Sequence, residues 1–369
     1  MNDVARYAAT AFNELGYYAL GGHVESPRDA IAECHEAEAL GLGATFLSER
    51  FNVKEGATMC GAIGAVTEKL GIALAATNHN TRHPMAFAAH ATTMHRLTGG
   101  RYLSCIARGI IPQIKAFGLT PATNSQMAEF VALIRRLWRG ERVENYESEI
   151  GRFPVLQLDP TFDEDIPIGL VGFGPKTVEF AGGVFDAIIL HTYIGEEGTA
   201  RLVRIARDAA ERAGRDPDRL RIWSVFATLG DHLEPKLYLK KSVGRLATYL
   251  QVYGDLLVET NGWDKEVLKR FREAPVIANM GGWVDACATH EQLEQIAELL
   301  PDEWLAPAAS GSPEQCARKV LGQFDLGVNG VILHGATPAE LAPIVPAYAK
   351  LRPEGRFDNL PANPGGKPA

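Results

Sequence analysis

The chain has 369 residues, of which 46% are hydrophobic, and a formal net charge of −8 at pH 7. This composition allows a large buried core, and an α/β barrel of this length is often a single domain, while the acidic balance argues against a general nucleic-acid-binding protein. Five dispersed cysteines without a C-x-x-C pair favour a reduced, cytoplasmic protein; the N-terminus lacks a signal-peptide pattern, and no apolar run approaches the ~18–20 residues that span a membrane.

The N-terminal half alternates short apolar runs with helical patterns. Residues 1–15 predict a short helix or a loose arm. After them, strands are predicted at residues 17–21, 44–47, 70–76 and 102–106, and helices at residues 26–40, 57–66, 84–97 and 125–138. Ser26 and Pro27 are typical of a helix start, and Gly41 is typical of a helix end. The pattern therefore predicts four successive strand–helix units.

Residues 140–165 interrupt this alternation and predict a hairpin or an extended excursion. The alternation then resumes. Further strands are predicted at residues 166–171, 187–190, 220–229 and 331–333, and further helices at residues 177–181, 199–213, 312–326 and 338–351. A long insertion, rich in aromatic residues and helical stretches, occupies residues 230–310. The tail, residues 353–369, is rich in proline and glycine and predicts a loose end.

Eight predicted strands alternating with helices indicate a (β/α)8 TIM barrel. Residues 166–171 and 187–190 are apolar through most of their length, as expected when both faces of a parallel strand are buried. We expect one domain, residues 1–369, with insertions at residues 140–165 and 230–310. An open, doubly wound sheet is the second interpretation. In a barrel the chemistry lies at the carboxyl ends of the strands.

The turn after the fifth predicted strand is the clearest candidate for a binding site. It consists of Gly172, Phe173, Gly174, Pro175 and Lys176. Glycine lets the backbone approach a ligand closely, and proline suits the first turn of a helix. The free N–H groups of that turn attract an anion, so we predict that the turn binds a cofactor phosphate. The plain alternative is a strand–helix turn that needs glycine only for its geometry.

The other predicted strands also end in polar or glycine-rich segments. These segments are residues 21–23, 48–51, 77–80, 107–109, 191–193 and 334–335, together with Thr228. Because the strands before them are apolar, this pattern favours a ligand site over simple surface loops.

Four stretches of the chain resemble one known family. They are FLSERF at residues 46–51, the run from residue 69 to 101, the run from residue 167 to 191, and the run from residue 308 to 333. In family order, they are similar to bacterial-luciferase-like oxidoreductases that use a flavin or coenzyme F420. The resemblance implies a TIM-like barrel with the flavin or deazaflavin in its C-terminal mouth, and usually a homodimer.

The resemblance also assigns residues around the cofactor. Residues 172–176 match the family's phosphate-binding loop. Thr77 and Asn78 fall where many members have a non-proline cis peptide against the back of the ring. Glu49 and Arg50 align with an acid–histidine pair beside the deazaflavin, which implies that Glu49 bonds the ring and Arg50 meets the acidic tail of the cofactor. The plain alternative for these two residues is a surface ion pair of little energetic worth.

Two departures from the family pattern stand out. After the fourth strand the family has Gly-x-Gly-Arg-Gly, whereas this chain has Cys105, Ile106, Ala107, Arg108 and Gly109. We still predict that Ala107, Arg108 and Gly109 line the cofactor, with a less close approach of the backbone. The second departure is Arg50, which stands where a catalytic histidine is often found and puts the standard acid–base assignment in doubt.

Histidines offer further candidates. His79 and His83 are four residues apart, but Pro84 follows and no carboxylate is close in sequence, so we predict no metal site. His191 and His334 end the sixth and eighth predicted strands. We take His191 as the best candidate for a proton donor, because the pKa of histidine suits that task; a histidine at the rim bonded to a loop carbonyl is the alternative.

Together these features predict a coenzyme F420-dependent oxidoreductase that transfers a hydride between the deazaflavin and a small organic substrate. Glu49 and His191 are the predicted catalytic residues. An FMN-dependent monooxygenase is the alternative within the family. A cofactor-binding protein without turnover, or an unrelated barrel enzyme that binds a sugar phosphate at the glycine turn, are the alternatives from other classes.

Overall fold

The computed structural model describes residues 11–21, 26–51 and 53–368. The strands in this part of the chain are β1 (Phe12–Tyr18), β2 (Leu42–Leu47), β3 (Gly71–Thr77), β4 (Tyr102–Ile106), β5 (Val143–Ser148), β6 (Gly151–Leu156), β7 (Ile168–Val171), β8 (Ala187–Ile189), β9 (Arg221–Gly230), β10 (Ala308–Gly311) and β11 (Gly330–His334).

Seventeen α-helices accompany the strands in the described residues. They are α1 (Asp29–Leu40), α2 (Gly56–Val66), α3 (Pro84–Leu97), α4 (Ile111–Ala116), α5 (Asn124–Trp138), α6 (Pro175–Val184), α7 (Glu196–Arg212), α8 (Pro235–Leu239), α9 (Arg245–Asn261), α10 (Lys265–Glu273), α11 (Pro275–Ala278), α12 (Val284–Cys287), α13 (His290–Ala297), α14 (Asp302–Leu305), α15 (Pro313–Asp325), α16 (Pro338–Leu341) and α17 (Ile344–Leu351). Short 3-10 turns occupy His79–Thr81 and Pro217–Arg219, and Lys240–Gly244 is a π-helix.

Parallel pairing closes eight of the strands into a barrel. Their order is β1, β2, β3, β4, β7, β8, β9 and β11; β9 pairs with both β8 and β11, and β11 pairs with β1. The predicted (β/α)8 fold is therefore confirmed, and the open, doubly wound sheet is excluded. Strand β10 pairs with the far end of β9 outside this closed ring.

The interior of the barrel is filled by buried side chains from six strands of the ring, β2, β3, β4, β8, β9 and β11. The buried interior residues are Ala44, Phe46, Ala73, Ala75, Leu103, Cys105, Ala187, Ile189, Trp223, Val225 and Ile332. Phe46 and Trp223 pack edge to face with centroids 4.9 Å apart, and a Cβ on Gly330 would lie 2.3 Å from Trp223 Cε3. Small residues thus make room for two large rings, as in a packed barrel core.

The first strand begins earlier than predicted. Residues 12–15, assigned to a helix or arm, belong to β1, while residues 1–10 of that assignment lie outside the described residues. Glu14 is fully buried in this strand, where its carboxylate accepts hydrogen bonds from Arg352 Nε at 2.6 Å and the Tyr348 hydroxyl at 2.9 Å. A buried charge needs such partners, and here they come from the other end of the chain.

The prediction of a loose C-terminal tail is wrong. Phe357 and Leu360 are buried. Asn363 Nδ2 donates to the carbonyls of Gly100 and Tyr102 at 2.7 and 2.9 Å, and Trp223 Nε1 donates to the Pro364 carbonyl at 2.7 Å. The tail covers the amino ends of the barrel strands, because backbone and indole groups there need hydrogen-bond partners that proline- and glycine-rich sequence can supply.

The two predicted insertions contain structure of their own. Residues 140–165 include the antiparallel hairpin of β5 and β6, and residues 230–310 include helices α8 to α14. Helix α9 is interrupted at Tyr253, whose φ and ψ of −127° and 16° are not helical. None of the helices among the described residues combines the length and apolar character needed to cross a membrane. The single-domain boundary, residues 1–369, stays a prediction.

Removing the buried contacts of the tail should destabilise the barrel. Leu360 is 7% exposed and Leu351 is 38% exposed, so the two leucines form a matched pair. We expect Leu360→Ala to lower the free energy of unfolding by about 2 kcal/mol, the low end for a buried leucine, and Leu351→Ala to lower it by less than half as much. Urea unfolding measures both; equal losses would contradict the packed tail.

Candidate functional site

The mouth of the barrel is formed by residues at and just beyond the carboxyl ends of the strands. Tyr18, Ala76 and Val171 are the partly exposed residues packed on the interior cluster, so they form the floor of the mouth. His191 and His334 stand on the wall at the ends of β8 and β11. Helix α9 lies over this wall, because its Tyr249 and Tyr253 contact His191 with centroids 4.6 and 5.3 Å apart.

Glu49 lies in a buried ion-pair cluster beside the mouth. Its side chain is 2% exposed, it accepts hydrogen bonds from the Thr77 hydroxyl at 2.5 Å and the Gly56 N–H at 3.2 Å, and it pairs with Arg82. The same guanidinium also pairs with Glu55. We call Glu49, Glu55, Thr77 and Arg82 the Arg82 clamp; it ties the segments after β2 and β3 to the start of α2.

The clamp changes the electrostatics of its second carboxylate. Glu55 is the N-cap of α2 and accepts from the N–H groups of Ala57 and Thr58 at 3.1 and 2.7 Å. Burial raises the pKa of Glu55, but hydrogen bonds from Arg82 and from Thr58 outweigh it and lower the pKa from 4.5 to about 2. The Glu55 carboxylate is thus held by donors that favour its charged form.

Arg50 is directed to the opposite wall of the mouth. Its backbone pairs with Lys54, and its guanidinium is close enough to Arg245 and Tyr249 for their charges to act on it. Burial, followed by the charge of Arg245, lowers the pKa of Arg50. Arg245 in turn forms an ion pair with Asp285 at 2.7 Å. Arg50 and Arg245 therefore place two guanidinium groups on this side of the mouth.

Lys54 is a buried cation that holds the first loop in place. It is 4% exposed, and its Nζ donates to the carbonyls of Leu20 at 2.7 Å and Ala19 at 3.2 Å. Burial, followed by the charge of Arg50, lowers the pKa of Lys54 to about 7. The bonds connect the segment after β1 with the segment after β2, so Lys54 fixes the shape of this edge of the mouth.

The cis peptide lies two residues before the predicted position. It joins Ala75 and Ala76, so its placement at Thr77 and Asn78 is wrong. The pairing of β3 with β4 shifts register between Leu74 and Thr77, so the cis peptide lies in an irregular part of the strand. Asn78 instead bridges two strand ends, because its Nδ2 donates to the Ala107 carbonyl at 2.7 Å.

In β4, Cys105 departs from the family pattern, and Gly169 of the neighbouring strand β7 accommodates it. Cys105 pairs with Gly169 of β7, where a Cβ would lie 2.7 Å from the Cys105 sulfur. Gly169 thus makes room on β7 for the Cys105 side chain. Beyond the strand, Ala107 and Arg108 are half-buried and Gly109 is exposed with φ of 72°. Arg108 bonds Asn124 at the start of α5.

The glycine turn lies between β7 and α6, as predicted. Gly172 N–H donates to the Ile189 carbonyl at 3.0 Å, and Gly174 is the N-cap of α6 with φ of 92° and ψ of 137°, a conformation reserved for glycine. No side chain caps this helix start, and Pro175 occupies its first turn. Lys176 is exposed. The first turn therefore keeps backbone donors and an adjacent cation available to an anion.

His191 lies in an aromatic cluster next to that turn. The buried Phe173 ring packs on it at 4.6 Å, in addition to the tyrosines of α9. Its Nδ1 lies 3.1 Å from the Thr192 carbonyl; a carbonyl only accepts, so this nitrogen carries the proton and Nε2 has the free lone pair. Burial lowers the pKa of His191 to about 4, so the ring is neutral at pH 7.

His334 completes this wall and is held by Tyr249. The Tyr249 hydroxyl lies 3.2 Å from His334 Nε2. Burial, followed by the charges of Arg245 and His191, lowers the pKa of His334 well below its usual value. His79 is also buried and packs on Phe130 at 5.3 Å. In the described part of the chain, no three His, Cys, Asp or Glu residues are grouped as a metal site would require.

The structure thus brings together most of the predicted site residues and adds several that sequence reasoning missed. Glu49, Thr77, Asn78, Ala107, the glycine turn and His191 all border one mouth. The missed residues are Lys54, Glu55, Arg82, Arg245 and Tyr249. Arg82 could have been predicted as a site residue, because it stands in a polar run directly after a strand. Arg245 and Tyr249 belong to the insertion, where no predicted strand end indicated that they lie at the mouth.

These residues fit a cofactor that carries an anion and a flat ring. The helix start after Gly174 offers backbone donors and the exposed Lys176. Arg50 and Arg245 offer positive charge, and Ala76 and Ala107 are small residues at the strand ends. The buried Arg108 Nε has no partner among the described residues, which adds one unsatisfied donor beside Gly109.

Breaking the Arg82 clamp should be costly. Arg82→Met would leave the buried Glu49 carboxylate without its cation, so we expect a loss of about 3 kcal/mol in the free energy of unfolding. Arg152→Met is the control, since Arg152 and Glu147 form an exposed ion pair with side chains 81% and 63% exposed, and such pairs contribute about 0–1 kcal/mol. Chemical denaturation compares them. A small loss in Arg82→Met would show that Glu49 does not depend on this ion pair.

Known proteins with a similar sequence indicate the family to which this chain belongs. The sequence profile of the luciferase-like monooxygenase family matches residues 7–330. The F420-dependent glucose-6-phosphate dehydrogenase of Mycolicibacterium gilvum is 24% identical over 339 residues, which are 87% of this chain and 91% of that protein.

Solved structures with the same fold include enzymes of both cofactor types. Coenzyme F420-dependent tetrahydromethanopterin reductase from Methanopyrus kandleri aligns with a TM-score of 0.74 and 18% identity, covering 90% of this chain and 97% of that one. A type II Baeyer–Villiger monooxygenase of Pseudomonas putida, in complex with FMN, aligns with a TM-score of 0.62 and 17% identity, covering 91% and 97%. The barrel, its glycine turn and the profile match over most of the chain together establish that this protein belongs to the luciferase-like monooxygenase family.

Proposed function

We propose that this protein is a coenzyme F420-dependent oxidoreductase that acts on a small organic substrate. The observation that carries the proposal is the glycine turn between β7 and α6, which opens on the mouth next to His191. The F420-dependent dehydrogenase related over most of its length supports the choice of cofactor. When bound, a deazaflavin supplies hydride transfer and no oxygen activation, so the protein's task is to bind, orient and protonate.

Residues at different edges of the mouth bind different parts of the cofactor in this proposal. The phosphate is held by the helix start at Gly172, Phe173, Gly174, Pro175 and Lys176. On the side of β7 away from His191, the cofactor is lined by Ala107, Arg108 and Gly109. Next to the Ala75–Ala76 peptide it is bordered by Thr77 and Asn78. Arg50 meets the acidic tail. Positive charge and backbone donors are what a phosphate and carboxylates require.

Glu49 acts through its neighbours in this proposal. With its side chain 2% exposed and bonded to Thr77, Gly56 and Arg82, it is a positioning residue that fixes the segments after β2 and β3. The hydroxyl of Thr77 is oriented by it, since that hydroxyl donates to Glu49. A fixed loop keeps the cofactor and substrate in the geometry that hydride transfer needs.

His191 exchanges the proton with the substrate. Its neutral ring, protonated at Nδ1, presents Nε2 as an acceptor, so it takes a hydroxyl proton when the substrate is oxidised. In the reverse direction it returns that proton and acts as the predicted donor. A base with this pKa is active above about pH 4 and loses activity as the pH falls through that value, because protonation fills the lone pair.

A second candidate is an FMN-dependent monooxygenase. The FMN-containing structure with the same fold favours it. We further propose that the protein is cytoplasmic and does not bind nucleic acid or membranes, which its dispersed cysteines, its net charge of −8 and its lack of a long apolar run support. The proposal that it is a homodimer rests on the family resemblance alone.

Cofactor titration distinguishes the candidates. Fluorescence quenching of the purified protein by F420 and, separately, by FMN should give tighter binding of F420. We expect Gly174→Asp to abolish binding and Lys176→Glu to weaken it about tenfold, because a reversed charge at the helix start repels the phosphate. Lys350→Glu, an exposed charge reversal on α17, is the control. Preference for FMN would establish the second candidate, and binding of neither would overturn both.

The role of His191 has a separate test. We expect His191→Asn to lower kcat about 100-fold, the usual contribution of a general base, while the F420 dissociation constant stays within threefold. The wild-type rate should fall below about pH 4, the pKa of this ring, and the variant should lack that acid limb. His35→Asn, an exposed histidine, is the control. An unchanged kcat or acid limb would exclude His191 as the proton-exchanging group.

A further inference from the structure

A second cavity lies behind the wall of the mouth. Its volume is about 280 Å³, which corresponds to roughly nine water-sized groups at about 30 Å³ each. It lies between the segment after β8, the end of β9, α8 with the adjoining π-helix, and the segment around α14. Its apolar lining includes Leu229, Leu239, Val243, Leu305, Ala306 and Ala308.

Tyr193 and Tyr249 lie between this cavity and His191. Tyr193 lines the cavity, and its ring lies 6.3 Å from that of Tyr249, which contacts His191 at 4.6 Å. On the other side, a Cβ on Gly335 would lie 3.6 Å from Leu229 Cδ2, so Leu229 borders the loop that follows His334. The cavity is therefore adjacent to the place where the proposed proton exchange occurs.

The backbone around this wall departs from regular structure. Tyr193 has φ of 58°, which is unusual for a bulky residue without a specific reason. Its hydroxyl donates to the Ser242 carbonyl at 3.1 Å, and Ser242 belongs to the π-helix Lys240–Gly244. Insertions of this kind are frequent at functional sites. This hydrogen bond holds Tyr193 against the π-helix at one edge of the cavity.

The lining also indicates which chemistry the cavity accepts. The polar residues of the lining are Tyr193, Tyr238, Ser242 and Ser310, which carry hydroxyls, and Asp302, which carries a carboxylate. Asp302 is exposed and is the one charged side chain among the residues that line the cavity. A carboxylate or phosphate placed here would meet a like charge, and the ammonium of Lys319 beside the lining already donates to the Ala308 carbonyl at 3.0 Å. An uncharged apolar chain would gain burial at about 25 cal/mol per Å².

We propose that this cavity binds the uncharged apolar chain of the substrate, with the reacting end at the Tyr193 side, which is the side nearest to His191. The assignment of the reacting end rests on the proposed function. The cavity itself is a binding site independent of the cofactor, because none of its lining residues belongs to the glycine turn or to the Arg82 clamp. Chain length and charge of the substrate are then set by residues 229–243 and 302–310.

Binding of decan-1-ol to the cofactor-free protein tests the cavity directly. Calorimetric titration should detect binding of decan-1-ol, at least tenfold weaker binding of decanoate, and at least tenfold weaker binding of decan-1-ol to Ala306→Trp, whose indole would fill the rim. Ala306 is exposed, so the protein should stay folded. Ala278→Trp is the control, since Ala278 is exposed on α11 and does not line the cavity.

The outcomes of this titration distinguish binding at the cavity from binding at the cofactor site. If decan-1-ol binds and F420 affinity stays within twofold in its presence, the cavity is a second site. If decan-1-ol binds the wild type and Ala306→Trp equally, fails to bind, or displaces F420 competitively, the proposal is overturned. Binding of decan-1-ol at the cavity by a protein that binds neither F420 nor FMN would uphold the apolar site and overturn the proposed function alone.

Discussion

Strand β9 pairs with β8 through Ile188 and Ile222 and with β11 through Val225 and Ile332. These pairings close the ring, and closure forces the carboxyl ends of all eight strands onto one rim. Segments distant in sequence, such as those after β2, β3 and β8, then have to share that rim. Their backbone and side-chain polar groups must find partners there, and the Arg82 clamp, the Lys54 bonds and the Asn78 bridge are the result.

The parts of the fold that follow from local pattern were predictable. Residues 166–171 and 187–190 are continuous apolar runs, and both lie in buried strands. Ser312 and Gln315 form the reciprocal capping box that their spacing indicates. The start predicted at Ser26 differs: α1 begins at Asp29 without a side-chain cap, and the Ser26 hydroxyl accepts a hydrogen bond from the Arg28 N–H at 3.2 Å.

The parts that depend on distant partners were not predictable. Glu14 resembles a surface residue until Arg352 and Tyr348 reach it from more than 330 positions away. The tail resembles a loose end because proline and glycine give no periodic signal, although its carbonyl groups cap Trp223. At the site, sequence and resemblance located the glycine turn, Glu49 and His191. They missed Tyr249 and Arg245, since the insertion that supplies them has no strand end to mark a position on the rim.

The account's central claim concerns where the cofactor phosphate binds, and a crystal structure of the F420 complex tests it most directly. We predict phosphate oxygens within about 2.7–3.2 Å of backbone N–H groups in the first turn of α6, with the deazaflavin ring above Ala76 and Arg50 near the carboxylates of the tail. A phosphate bound instead between Arg50 and Arg245, with the start of α6 unoccupied, would contradict the account.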